Sequence, residues 1–280
     1  MRVVVTGAGG QLGTDVVLYC EAQGDDVIGL DRGRLDVADR DAVAGAITAL
    51  RPDLVVNTAA WTAVDACEGD ADRAHLINAL GPRWVTEAAE LVGAHVVHVS
   101  TDYVFDGTLD RPYREWDPPN PRSVYGASKL AGERECSPDA TVVRTSWVCG
   151  EHGNNMVHTV LRLAAERDQL AFVDDQIGCP TFSADLAPML RRLGVERRRG
   201  LHHVTNQGAV SWYEFVREIV AETGRDPGMV RPIATTDLDP PRPAPRPANS
   251  VLDNATLRLG GMPLLRHHRE PLRELVARLT

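Results

Sequence analysis

Thr6-Gly-Ala-Gly-Gly-Gln-Leu-Gly13 comes directly after the apolar run Val3-Val4-Val5. Together they read as a buried strand, a tight turn and a helix start. Gly7, Gly10 and Gly13 are spaced so that bare backbone N–H groups can approach a pyrophosphate. Glycine would also serve such a turn for its conformational freedom alone, so the rest of the chain has to decide between the two. Strand-like runs recur at 2–6, 26–31, 53–60, 95–101 and 141–148, with helical patterns between them at 11–23, 40–50, 74–92 and 125–136. This alternation predicts an α/β protein, a Rossmann-type doubly wound parallel sheet covered on both faces, with ligands beyond the carboxyl ends of its strands.

Past residue 150 the alternation loosens. Helical patterns at 154–167, 183–193, 211–223 and 270–279 surround short strand-like runs at 170–174 and 201–205, and the proline-dominated stretch 239–250 reads as an extended, stiff loop. The expected organisation is a dinucleotide-binding domain over 1–150 and a smaller, mainly substrate-binding region over 151–280, with some late segments returning to the first sheet.

Of the 280 residues, 43% are hydrophobic and 25% charged, ordinary for a globular chain with a sizeable core. A net charge of −9 with no basic stripe argues against nucleic acid or an anionic membrane as partner. The five cysteines, Cys20, Cys67, Cys136, Cys149 and Cys179, form no paired or His-flanked cluster, so neither a disulfide framework nor a metal site is expected. The chain opens into a strand without a charged leader, and no apolar run reaches the ~18 residues of a membrane span. A cytoplasmic protein is expected.

Chemistry-bearing residues fall where such a sheet would use them. Asp31 ends the second strand, the place of an acid that accepts from the adenosine ribose, while Arg32 beside it could receive a 2′-phosphate. NADH and NADPH therefore both remain open. Asp36 could cap the next helix or meet the adenine edge. Asn57-Thr-Ala-Ala-Trp61 ends the third strand with small side chains where backbone passes close to a cofactor. Ser100 and Thr101 end the fourth, with hydroxyls expected in the crevice to hold a reacting oxygen. Tyr125 and Lys129 lie four residues apart on one helix face. A phenol beside a fixed cation is expected to be a proton donor of lowered pKa. The combination points to hydride chemistry at a carbonyl or alcohol carbon.

These residues, with Asn57-x-Ala-Ala-x-Thr-Ala-Val-Asp65, Ser100-Thr-Asp-Tyr-Val-Phe105, Tyr125-Gly-x-x-Lys129-Leu-Ala-Gly-Glu133, Arg144-Thr-Ser-Trp-Val148, Gly153-Asn-Asn155, Asp175-Gln-x-Gly-x-Pro-Thr181 and Arg246-Pro-x-Asn-Ser250, span nearly the whole chain. In them the sequence resembles the dTDP-4-dehydrorhamnose reductase family of the extended short-chain dehydrogenase/reductase superfamily. The resemblance implies that Gly10, Gln11, Leu12, Asp31, Asp36, Val37, Ala59, Ala60 and Trp61 meet the dinucleotide. It implies that Tyr125 and Lys129 serve both cofactor and catalysis, and that Thr101 meets the reacting sugar oxygen. Thr101 with Asp102, and Trp147, would touch a deoxysugar nucleotide.

The implied reaction is NAD(P)H-dependent reduction of the C4 keto group of a dTDP-4-keto-6-deoxyhexose, with dTDP-4-dehydro-L-rhamnose the leading substrate, by a monomer or homodimer. Arg246, in the proline loop, is a candidate for the diphosphate because a guanidinium fork suits phosphate oxygens. Two positions depart from the family pattern. Trp61 stands where a smaller aromatic or a histidine is common, and Asp15 where some members carry a glutamate that helps bind magnesium between subunits. Two alternatives stay open: a 4-ketoreductase for another dTDP-deoxysugar of secondary metabolism, and a non-catalytic dinucleotide-binding subunit resembling the regulatory subunit of methionine adenosyltransferase. The complete Thr101/Tyr125/Lys129 set, with Trp147, favours catalysis.

Overall fold

A computed structural model describes all 280 residues. The first half runs β1 (Arg2–Thr6), α1 (Gln11–Ala22), β2 (Asp26–Leu30), α2 (Arg40–Leu50), β3 (Leu54–Asn57), α3 (Val64–Cys67), α4 (Ala71–His75), α5 (Gly81–Glu90), β4 (His95–Thr101), α6 (Val124–Glu135) and β5 (Thr141–Thr145). The second half continues β6 (Val148–Cys149), α7 (Met156–Glu166), β7 (Leu170–Val173), β8 (Ile177–Gly178), β9 (Thr181–Phe182), α8 (Ser183–Val195), β10 (Gly200–His203), β11 (Val210–Ser211), α9 (Trp212–Glu222), β12 (Val230–Ile233), α10 (Ala255–Leu259) and α11 (Arg269–Leu279).

Six strands form one parallel sheet in the order β10-β5-β4-β3-β1-β2. Successive side chains of a strand point to opposite faces, which explains the unbroken apolar runs. Val3 and Val5 pack with Leu54, Val56 and Val97 against Leu12 and Val16 of α1 and Leu186, Leu190 and Leu193 of α8. Val4, Val55 and Val96 face the other way, onto Val43 and Ile47 of α2 and Val85 and Ala89 of α5. The sheet is thus buried on both faces, as the alternation of strands and helices requires. Its sixth strand and one of its covering helices, α8, come from beyond residue 150.

The remaining C-terminal elements enclose a separate apolar cluster. Val157 and Val160 of α7, Phe215 and Ile219 of α9, and Leu272, Leu275 and Val276 of α11 close over Leu170 and Val230 of the parallel β7–β12 pair. Residues 239–250 carry neither helix nor strand.

Two local differences from the sequence expectations have physical causes. The helix expected at 74–92 is broken by a π turn at Leu76–Leu80 between α4 and α5. Pro82 has no N–H to offer the Asn78 carbonyl four residues back, so the α-helical ladder cannot continue there. The strand expected at 141–148 stops at Thr145 and resumes at Val148, because Trp147 takes a left-handed backbone with φ of 47°.

The π turn also sets how close α6 lies. A Cβ on Gly132 would collide with the Asn78 carbonyl oxygen, a backbone atom that cannot swing aside. Gly132→Ala is therefore expected to destabilise the fold by about 1–3 kcal/mol, the usual cost of overpacking. Equilibrium urea unfolding of the two proteins checks this; an unchanged midpoint would mean that α6 shifts freely.

Candidate active site

Two adjoining clefts open beyond the carboxyl ends of β1 to β4. One, of about 480 Å³, lies between the glycine turn, the residues after β2 and Thr58–Trp61. The other, of about 450 Å³, shares Gly7, Gly10, Thr58 and Ala60 with the first and continues to Thr101, Tyr125, Lys129 and Trp147.

The first cleft owes its floor to backbone-on-backbone packing. Gly7 has φ of 72°, and a Cβ there would lie 2.7 Å from the Ala59 nitrogen. A Cβ on Gly13 would fall onto the Gly7 carbonyl oxygen. Helix α1 has Gly10 at its N-cap and no side chain capping it, so its positive end is left to an anion. These features fit a dinucleotide pyrophosphate. Asp31 lines the cleft with one carboxylate oxygen accepting from the Arg34 N–H at 3.0 Å. Arg32 lines it too, exposed and 3.7 Å from the Asp36 carboxylate. Asp36 does not cap α2: its carboxylate accepts from the Ala38 N–H, and the cap is Asp39, which accepts from Ala42.

Other expected cofactor residues are distributed less uniformly. Val37 is a buried wall of the first cleft. Leu12 and Gly13 border the second, with Leu12 also in the core beneath the sheet. The Gln11 side chain is committed elsewhere, donating to the Val148 carbonyl and accepting from the Asn155 amide, each at 2.8 Å. Its backbone, rather than its amide, is what it can offer. Trp61 is held through its peptide, whose N–H and C=O are both bonded by the Asn78 amide at 2.8 and 3.1 Å. Arg73 lies over its indole at 4.5 Å. Asn78 is a residue that sequence reasoning missed. Its signal is the Gly81-Pro82 break one turn downstream.

In the second cleft, Thr101 ends β4 with its hydroxyl donating to Asp102 Oδ1 at 3.0 Å and accepting from the Tyr103 N–H at 3.2 Å. Asp102 is buried and its other oxygen has no partner; burial pushes its carboxyl up to about 6. Thr145, on the same cleft, also carries a buried hydroxyl oxygen without a partner. Unpaired buried polar groups are costly, and these two suit a polyhydroxylated ligand. Ser100, by contrast, turns away: its hydroxyl donates to Glu133 at 2.5 Å, and Glu133 is paired with buried Arg144 at 2.6 and 2.8 Å.

Tyr125 and Lys129 are both buried on the inner face of α6. The expected lowering of the phenol's pKa is not found in the protein alone. Burial pushes Tyr125 above the ordinary tyrosine range, and the adjacent Thr101 hydroxyl only partly offsets it. Lys129 is pushed down to about 8 by its burial. Its Nζ donates to the Val99 carbonyl at 2.7 Å and lies 3.4 Å from His98 Nε2.

Trp147 closes the far wall. Its indole stacks on Trp212 with ring centroids 3.5 Å apart and planes within 7°. Gly178 also leaves room for it, since a Cβ there would stand 2.5 Å from the ring. That contact gives the glycine of the Asp175-Gln-Ile-Gly-Cys-Pro-Thr181 stretch a reason, and Trp212 is a second wall residue that sequence reasoning did not single out. Arg246 is engaged by Asp65, which accepts from its two terminal guanidinium nitrogens at 2.6 and 2.8 Å and also from the Ala244 N–H.

A cleft fitted to a dinucleotide that opens onto a buried tyrosine and lysine has the groups hydride transfer needs, and it defines an oxidoreductase of the short-chain dehydrogenase/reductase type. The model of the RmlD substrate binding domain family matches residues 1–280, and the chain belongs to that family. It is 44% identical over 282 residues to a dTDP-4-dehydrorhamnose reductase of Streptomyces griseus, covering 98% of this chain and 92% of that one. The crystal structure of a dTDP-4-dehydrorhamnose reductase of Clostridium acetobutylicum superposes with a TM-score of 0.96 at 41% identity, covering 100% and 99% of the two chains. That of Bacillus anthracis, in complex with NADP, gives 0.94 at 37% identity, covering 99% of each. No helix is long and apolar enough to cross a membrane.

Proposed function

We propose that this protein reduces the C4 keto group of a dTDP-4-keto-6-deoxyhexose, dTDP-4-dehydro-L-rhamnose foremost, with NADPH or NADH. The observation that carries the reading is the placing of Thr101, Tyr125 and Lys129 in one cleft that shares its floor with the glycine-lined cleft. The names of relatives similar over nearly the whole chain support it.

The nicotinamide, when bound, supplies the hydride. Tyr125 donates its phenolic proton to the oxygen of C4; its burial keeps it protonated until that oxygen becomes basic. Thr101 turns its hydroxyl from Asp102 to the same oxygen and fixes it. The Lys129 ammonium stabilises the phenolate left behind and holds the nicotinamide ribose. Burial of all three excludes water, so each donor acts most strongly as negative charge develops. The test is loss of NADPH absorbance with a panel of dTDP-4-keto sugars, with NMR identification of the C4 configuration formed. A sugar other than 4-dehydrorhamnose preferred in that panel would select the secondary-metabolite alternative.

Tyr125→Phe keeps the ring's packing and removes only the proton donor, so kcat should fall by roughly 10²–10⁴-fold with cofactor binding largely intact. Wild-type kcat in this variant would refute the mechanism. Asp31 repels a 2′-phosphate and Arg32 attracts one, so the cofactor preference should be modest. Asp31→Ala should move the ratio of kcat/KM toward NADPH, whereas an unmoved ratio would place Asp31 away from the ribose.

Arg246 is expected to act by pinning the proline loop through Asp65. Arg246→Ala and Asp65→Asn should then raise KM for the sugar nucleotide alike and leave that for NADH alone. If instead the guanidinium meets the diphosphate itself, only the arginine variant should do so.

A further inference from the structure

Lys129 is the only lysine among the 30 lysines and arginines of the chain. Every other cationic side chain of these two types is a guanidinium, which does not lose its proton in proteins. An amine is kept at the one buried position where giving up a proton is chemically possible, and its surroundings explain how that is arranged.

Thr6, Asn57 and His98 are register neighbours on β1, β3 and β4, and all three are buried. Asn57 Oδ1 accepts from the Thr6 hydroxyl at 2.7 Å and from the Ala59 N–H at 3.2 Å. A backbone N–H can only donate, so this contact fixes which way the Asn57 amide faces. Its NH2 must then point at His98 Nδ1, 3.1 Å away. Nδ1 must therefore carry a lone pair, and the proton of the neutral ring lies on Nε2. Burial and the neighbouring Lys129 keep this ring well below the ordinary imidazole range, hence neutral.

Nε2–H is thus aimed at Lys129 Nζ across 3.4 Å. If Lys129 is an ammonium, two donors face each other; if it is an amine, its lone pair accepts the Nε2–H. The opposite tautomer would only move the conflict to Asn57, and turning that amide would move it to Ala59. The other titratable groups around Lys129 are Tyr125, Glu133 and Cys136 on or next to α6. Glu133, already paired with Arg144, and Cys136 favour the ammonium, but burial outweighs them.

We propose that His98 is a positioning residue for Lys129: the Ala59 N–H, in the wall of the first cleft, fixes through Asn57 which imidazole nitrogen faces the amine and so weakens its hold on its proton. The functional meaning rests on the reductase reading, but the test reads the amine and the ring directly and would be answered by a chain that turned over no keto sugar.

With 15N-lysine the whole chain carries one side-chain label, so NMR titration reports Lys129 alone. Long-range 15N spectra of labelled histidines, with the His98 signals assigned by their loss in His98→Leu, report the tautomer. The wild-type ring is expected as Nε2–H; an Nδ1–H ring overturns the proposal without any need for a variant to fold. In Asn57→Asp the near-isosteric carboxylate accepts where the amide donated. The ring should become Nδ1–H, and the Lys129 midpoint should rise by roughly 1–3 pH units because an acceptor nitrogen then faces it. Where the effect passes through the ring, the tautomeric part of that rise is lost when Asn57→Asp is combined with His98→Leu. A rise of the same size with and without the imidazole would show a direct charge effect and overturn the relay, as would an unmoved midpoint in Asn57→Asp.

Discussion

Parallel pairing in strict register is the constraint on which the site depends. Thr6 stands beside Asn57, and Asn57 beside His98, because β1, β3 and β4 run their ladders level with one another. The chain then leaves each of these strands at the same edge of the sheet. One exit is the glycine turn, another the small-residue stretch Thr58–Trp61, a third Thr101 and its short turn. The two clefts are the space between these exits, so a one-residue slip of β3 would send Asn57 to the other face and dissolve both the relay and the wall.

The helices respond to that edge. α6 must come close enough to bring Tyr125 and Lys129 under the end of β4, and glycine at 132 makes room for the Asn78 carbonyl that the π turn presents there. The same asparagine holds the Trp61 peptide by both its groups. One irregular turn therefore locates the helix of Tyr125 and Lys129 and the Trp61 segment together. From the other direction, the cluster formed by α7, α9 and α11 supplies Trp212 as backing for Trp147, so the C-terminal elements shape a cleft whose Thr101, Tyr125 and Lys129 all belong to the first half.

What was legible in the sequence is what local patterning determines. Short strand-like runs alternating with helical periods were enough for β1, β4, α2 and the doubly wound sheet, since that alternation implies burial on both faces. The spacing of Tyr125 and Lys129 placed both on one face of α6 for the same reason. What was not legible is non-local or depends on competition between near-equal residues. Asp36 and Asp39 both offer a capping carboxylate, and the start of α2 at Arg40 gives the cap to Asp39. Arg246 looked free because Asp65 is far away along the chain, and Ser100 looked available because nothing local announces Glu133 and Arg144 as its neighbours. Nothing local marks His98 as a partner of Asn57; only the register of their strands makes them a chain of hydrogen bonds.

The burial of the sole lysine also shapes the outside of the molecule. Guanidinium groups and a few imidazoles such as His75 and His267 make up its basic side chains in solvent, so the surface offers positive charge without a nucleophilic side-chain amine. Acylating and cross-linking reagents that seek lysine find no side chain to modify there, and Lys129 itself, only 2% exposed, is reached when the fold opens. Its modification is therefore a clock for opening motions around the site, read against the terminal amine of Met1 alone.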